Sequence, residues 1–137
     1  MHLGSTPTAS TAPRWAEDIV DVAREGARSE LDYSVASLRY VDRVLGEIRD
    51  QNPPEGLMDS MLVEFGCYLG EVLVRCAGAT WVDLDEGQRA GFGRGLGLRT
   101  PDGRLWDPIG AVVSWFARRS GQSAQAFVRT ASVVAHR

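Results

Sequence analysis

The chain has 137 residues and a mass of 14.9 kDa, the size of one ordinary domain and too small for two. Hydrophobic residues make up 44% and charged residues 24%, a globular balance that argues against disorder along the whole chain; no apolar run approaches the roughly 20 residues of a membrane span. Formal net charge is -3 and every basic residue except the two histidines is arginine, which excludes lysine chemistry such as Schiff bases and P-loop phosphate binding.

Residues 1–12 are rich in Ser, Thr, Ala, Pro and Gly and predict a disordered tail, leaving 13–137 as one domain. The first 13 residues lack both a basic start and an apolar stretch, so no secretory signal is expected there. A helix is expected from Pro13, a good first-turn residue, to Gly26, burying Trp15, Ile19, Val22 and Ala23. Ser34 is a suitable N-cap for a second helix with Val35, Leu38, Val41, Leu45 and Ile48 on its apolar face. Asp42, Arg43, Glu47 and Arg49 fall on the opposite side, and Pro53-Pro54 ends the pattern.

A third helix is predicted from Glu55 to Ala77, apolar on more than one side and therefore central, with Gly78 as its stop. The period then changes. Residues 79–84, 96–100 and 104–106 are expected to be strands, the last two joined by a Pro101-Asp102-Gly103 turn, with 91–97 as loose glycine-rich chain. Asp107-Pro108 is a cap followed by a first-turn proline. The helix it starts should bury Ile109, Val112, Val113 and Phe116 and stop at Gly121; Ser123 can cap a last helix that buries Phe127 and Val134. The fold class is thus α+β: three N-terminal helices, a small antiparallel sheet of about three strands, and one or two C-terminal helices.

No motif with a known chemical mechanism is present. His2 and His136 lie near the two ends, so a Ser-His or Cys-His pair needs one of them to fold back. Cys67 and Cys76 are nine residues apart, on opposite faces of one helix at about 100° per residue, and cannot bridge. They are expected to be buried thiols of a cytoplasmic protein. Neither a metal site nor a cofactor is expected. Asp83, Asp85 and Glu86 lack the spacing of a calcium loop and predict a solvated turn. Gly91–Gly97 is not a dinucleotide fingerprint, though Arg94 leaves a weak anion-binding option.

Two regions hold the candidate binding residues. Gly66 and Gly70 lie on one face of the third helix, where each costs about 1 kcal/mol relative to alanine; close approach of another backbone is the expected compensation. Glu71 adjoins that strip, with Tyr68 three residues earlier and Arg75 four residues later. Glu71 is expected either to be structural, paired with Arg75 or bound to nearby backbone N–H groups, or to line a pocket with Tyr68 or Asp83. The second region is C-terminal. Trp115 falls off the expected buried face and, with Arg118 and Arg119, suits an exposed protein interface.

Residues 1–87 carry 16 acids against 7 arginines, and residues 88–137 carry 2 acids against 8, so the halves can attract each other or the basic third can attract an acidic partner. The low pI of 5.3 argues against nucleic acid. The leading expectation is a non-enzymatic module that binds another protein or itself as a homodimer. The alternatives are a small-molecule-binding or hydrolytic site at Glu71, and nucleic-acid binding by the arginine-rich third.

Leu31-Asp32-Tyr33-Ser34 followed by Ser37-Leu38 and Asp42, then Gly66-Cys67-Tyr68-Leu69-Gly70-Glu71-Val72, Gly78 and Trp81-Val82, resembles a widespread set of small bacterial domains of the actinobacterial type with no established activity. Asp102-Gly103 and Asp107-Pro108 extend the pattern, which covers about residues 31–130. The resemblance implies no catalytic residues; it marks Asp32, Tyr33, Ser34, Gly66, Tyr68, Gly70, Glu71 and Trp81 as the shared pattern.

Overall fold

The computed structural model describes residues 6–25, 31–119 and 121–135. His2, Gly26, His136 and the side chain of Val134 lie outside the described residues, so the expectations placed on them go no further. The chain order is α1 (Ala12–Glu25), a short 3-10 turn (Val35–Ser37), α2 (Leu38–Asp50), α3 (Asp59–Ala77), β1 (Thr80–Asp83), α4 (Glu86–Phe92), β2 (Leu96–Arg99), β3 (Leu105–Trp106), α5 (Pro108–Phe116) and α6 (Ala124–Ala135). This is an α+β architecture with one antiparallel sheet in the order β1-β2-β3.

Helix α3 occupies the centre, with α1, α5, α6 and β1 packed on it. Its residues Phe65 to Leu73 are all buried, as its nearly all-round apolar sequence requires. Gly78 then takes φ 70°, the left-handed stop that glycine adopts without a Cβ penalty. Helix α3 starts at Asp59, four residues after the expected Glu55; residues 55–58 form turns that leave Leu57 68% exposed. Helix α1 buries Trp15, Ala16 and Ile19, whereas Val22 sits half-exposed on the rim of an apolar groove between α1, α2 and α3. Ala9, inside the segment predicted to be a tail, donates its N–H to Asp83 Oδ1 at 2.8 Å.

The predicted arrangement of helices needs one correction. Helix α4 lies between β1 and β2, where a solvated turn and loose chain were expected. Gly87 and Gly91 make that segment a poor helix former, but a capping box starts it. The Asp85 carboxylate accepts from Gln88 N at 2.8 Å, and Gln88 Oε1 accepts from Asp85 N at 3.0 Å.

The sheet register pairs Trp81 with Leu98 and Leu98 with Trp106. Trp81 and Leu98 are buried, and Trp106 meets Phe127 of α6 edge-on at 5.9 Å. Asp107 caps α5 from Gly110 N at 2.9 Å with Pro108 in the first turn, as expected; the same carboxylate holds Arg94 Nε at 3.0 Å. Helix α5 ends at Phe116, five residues before Gly121.

Candidate functional site

The glycine strip of α3 is filled from outside the helix. A Cβ on Gly66 would lie 2.5 Å from Ile109 Cα, so the backbones of α3 and α5 meet there. A Cβ on Gly70 would lie 2.1 Å from the Trp81 ring, so the second approach is that of an indole rather than a backbone. Trp81 Nε1 then reaches across and donates to Glu71 Oε2 at 2.8 Å. Glu71 is 8% exposed and makes no ion pair with Arg75, contrary to the i,i+4 expectation. Arg75 instead lies 3.6 Å over the Tyr33 ring, where the negative π face attracts it.

Tyr33 is stacked on Tyr68, with ring centroids 5.0 Å apart. The Tyr68 ring is fully buried and its hydroxyl is fully engaged: it accepts from Tyr33 N at 2.8 Å and pairs with Ser37 Oγ at 2.6 Å. That bond holds Tyr33 at φ 66°, a conformation L residues seldom adopt. Ser34 caps the 3-10 turn rather than α2 directly, through Ser37 N, and donates its hydroxyl to Asp32, which lowers the Asp32 pKa. The two segments marked by the resemblance are therefore one packed polar cluster.

Cys67 is fully buried, whereas Cys76 is exposed, which corrects the expectation that both are buried. The nine-residue spacing does put them on opposite faces, but only one of those faces meets the core. Burial, and next the Glu71 charge, push the Cys67 thiol up to about 12. Burial also raises Tyr68 and Tyr33 above their usual 10.0. Each group holds its proton more tightly folded than unfolded, so the associated stability is complete below about pH 9 and declines as pH rises from there toward 12. The Cys67 part alone is on the order of 4 kcal/mol at the top of that range. Thermal melts from neutral to alkaline pH should show this decline, and Cys67→Ala should make it shallower; equal slopes would disprove the assignment.

At the C-terminal end, Trp115 is half-buried rather than exposed. It rests on Gly46 of α2, and the Arg49 guanidinium covers its ring at 4.4 Å while Arg49 Nη1 donates to Trp115 O at 2.9 Å. Trp115 therefore fastens α5 to α2, which removes most of its face from any partner.

Arg118 and Arg119 do project outward. They form the cap of α5: Arg119 N donates to Ser114 O at 2.8 Å and Arg118 N to Trp115 O at 3.1 Å, the paired bonds of a Schellman motif. In that motif the residue after the cap takes a left-handed conformation and is usually glycine. Here it is Arg118, at φ 59°. Arg118 Nη2 also lies 3.4 Å from Asp50 Oδ1. Both arginines line a cleft of about 740 Å³ between the end of α2, the start of α3 and the end of α5. Leu62, Val113 and Phe116 supply its apolar lining, and Pro53 and Pro54 form part of its wall. Sequence reasoning found Arg118 and Arg119 but missed the acidic side of the cleft, Asp50, Glu55 and Asp59, because α2 and α3 bring it there.

Among the described residues no cluster of three or more His, Cys, Asp or Glu is placed to hold a metal ion, and no helix is long and apolar enough to cross a membrane. Comparison of the chain with family models, with curated proteins and with solved structures finds no match.

Proposed function

We propose that the protein is a non-enzymatic interaction module, acting in the cytoplasm, whose docking surface is the cleft bounded by Arg118 and Arg119. The observation that carries this reading is the α5 cap. A non-glycine residue in the left-handed position costs on the order of 1 kcal/mol, and here that residue is a long cation that lines a partly apolar cleft. The Glu71 region supports a structural role instead, because Tyr68 and Glu71 spend their hydrogen bonds inside the fold on Tyr33, Ser37 and Trp81. Nucleic-acid binding is less well supported, because Arg94, Arg104 and Arg118 each face a carboxylate. The pattern shared with the resembling bacterial domains then marks architecture rather than a catalytic centre.

The test separates stability from binding. Arg118→Gly should raise the melting temperature by a few degrees, since it relieves the left-handed strain and gives up only an exposed ion pair. A photo-reactive phenylalanine at Ala117, which lines the cleft and is exposed, should crosslink to a discrete protein partner in extracts of the native host. That adduct should fade when Arg118→Gly and Arg119→Ala are added. An adduct that persists in a folded Arg118→Gly/Arg119→Ala protein, or no adduct at all, would overturn the reading.

A further inference from the structure

We propose that the occupant of this cleft is a second copy of the same chain, held by an isologous two-fold contact; the inference rests on reading the cleft as a protein-docking surface. Its lining carries Arg49, Arg118 and Arg119 together with Asp50, Glu55 and Asp59, so the formal charges cancel. They are not mixed at random. Arg49 is committed to Trp115, and Arg118 and Asp50 face each other. Arg119 on the α5 side, and Glu55 and Asp59 on the α3 side, have no ion pair among the described residues.

A wholly acidic or wholly basic partner would meet like charge on one wall. A two-fold axis across the mouth instead sets the basic wall of each copy against the acidic wall of the other. An apolar knob stands beside the socket. Leu57, at 68%, is the most exposed large hydrophobic side chain among the described residues, and its neighbours Gly56 and Met58 line the cleft. The same axis exchanges the two knobs, so that each Leu57 covers the apolar lining around the other copy's Phe116. One operation thus buries the exposed leucine and pairs the leftover charges.

Sedimentation velocity between about 1 and about 300 µM tests this. Wild type should form dimers that loosen as salt rises. Leu57→Glu should weaken dimerisation by about tenfold or more, as loss of a central apolar contact does. Arg119→Glu and Glu55→Arg should each weaken it, and the double variant should recover much of the loss, because the two-fold restores opposite signs. The three positions changed here, Glu55, Leu57 and Arg119, are exposed, and circular dichroism checks that the variants fold. A wild type that stays monomeric throughout, a dimer indifferent to Leu57→Glu, or a double variant no better than its parents would overturn the proposal. The photo-crosslink separates this failure from that of the docking reading: an adduct with a different protein leaves the docking surface standing and removes only the second copy.

Discussion

Gly66→Ala is expected to lower stability by about 3 kcal/mol, or about 10 °C in melting temperature, although alanine is the best helix former. The reason is geometric. The added methyl would sit 2.5 Å from Ile109 Cα and 2.7 Å from its Cγ1, and a backbone atom cannot swing aside as a side-chain tip can. Helices α3 and α5 would have to separate, which loosens a contact made in the buried centre of the fold. The intrinsic helix gain of about 1 kcal/mol is too small to offset this. Gly70→Ala should be comparably severe: the indole in its way is buried and tied to Glu71, so moving it also breaks that hydrogen bond. Gly46→Ala is the control. Its methyl would meet the Trp115 ring at 3.8 Å, an ordinary contact, so a small stabilisation is expected. Urea unfolding of the three variants decides the matter; a Gly66→Ala protein as stable as Gly46→Ala would refute the close approach.

Tyr68→Phe is expected to cost about 2 kcal/mol. The ring, its volume and its stacking on Tyr33 survive, and only the hydroxyl is lost. That hydroxyl is the acceptor for Tyr33 N and the partner of Ser37 Oγ, so its removal leaves a part-buried donor without its acceptor. It also frees a residue held at φ 66°. Hydrogen exchange should therefore accelerate at the Tyr33 amide more than at amides in the middle of α3. Unchanged exchange at Tyr33 would mean that stacking alone, with Arg75 on the outer face, holds the segment. The cleft at the far end of α5 shares none of these contacts, so crosslinking from Ala117 should survive the substitution.

Much of the architecture was legible because its signals are local. The apolar period of α3, the Gly78 stop, the Asp107-Pro108 start and the turn between β2 and β3 each act within a few residues. The backbone approach behind Gly66 was legible too, since two mid-helix glycines need a compensating contact, but at Gly70 the neighbour is the Trp81 indole and not a backbone. Helix α4 was missed for a local reason as well: its glycines hid a capping box that Asp85 and Gln88 display openly.

The partners were not legible. Asp42, expected on the solvent side of α2, accepts from Ala124 N at 2.8 Å and Gln125 N at 3.1 Å, and so satisfies the start of a helix 82 residues away. Glu71 has Arg75 one turn along the same helix, yet the register of β1 places Trp81 over Gly70 and delivers the indole N–H instead. Trp115 looked free because the face it occupies is covered by α2, not by its own helix. The acidic side of that cleft comes from the end of α2, the turns at 55–58 and the start of α3 in the same way. By itself the sequence determined that this is an α+β chain built round one apolar helix, and the approximate place of most of its elements, because caps, stops and periodicity depend on neighbours within a turn. Which charge meets which carboxylate, and which apolar side chains stay exposed, only the tertiary structure decided, because those contacts join segments far apart in the chain and are chosen by how the helices and the sheet pack.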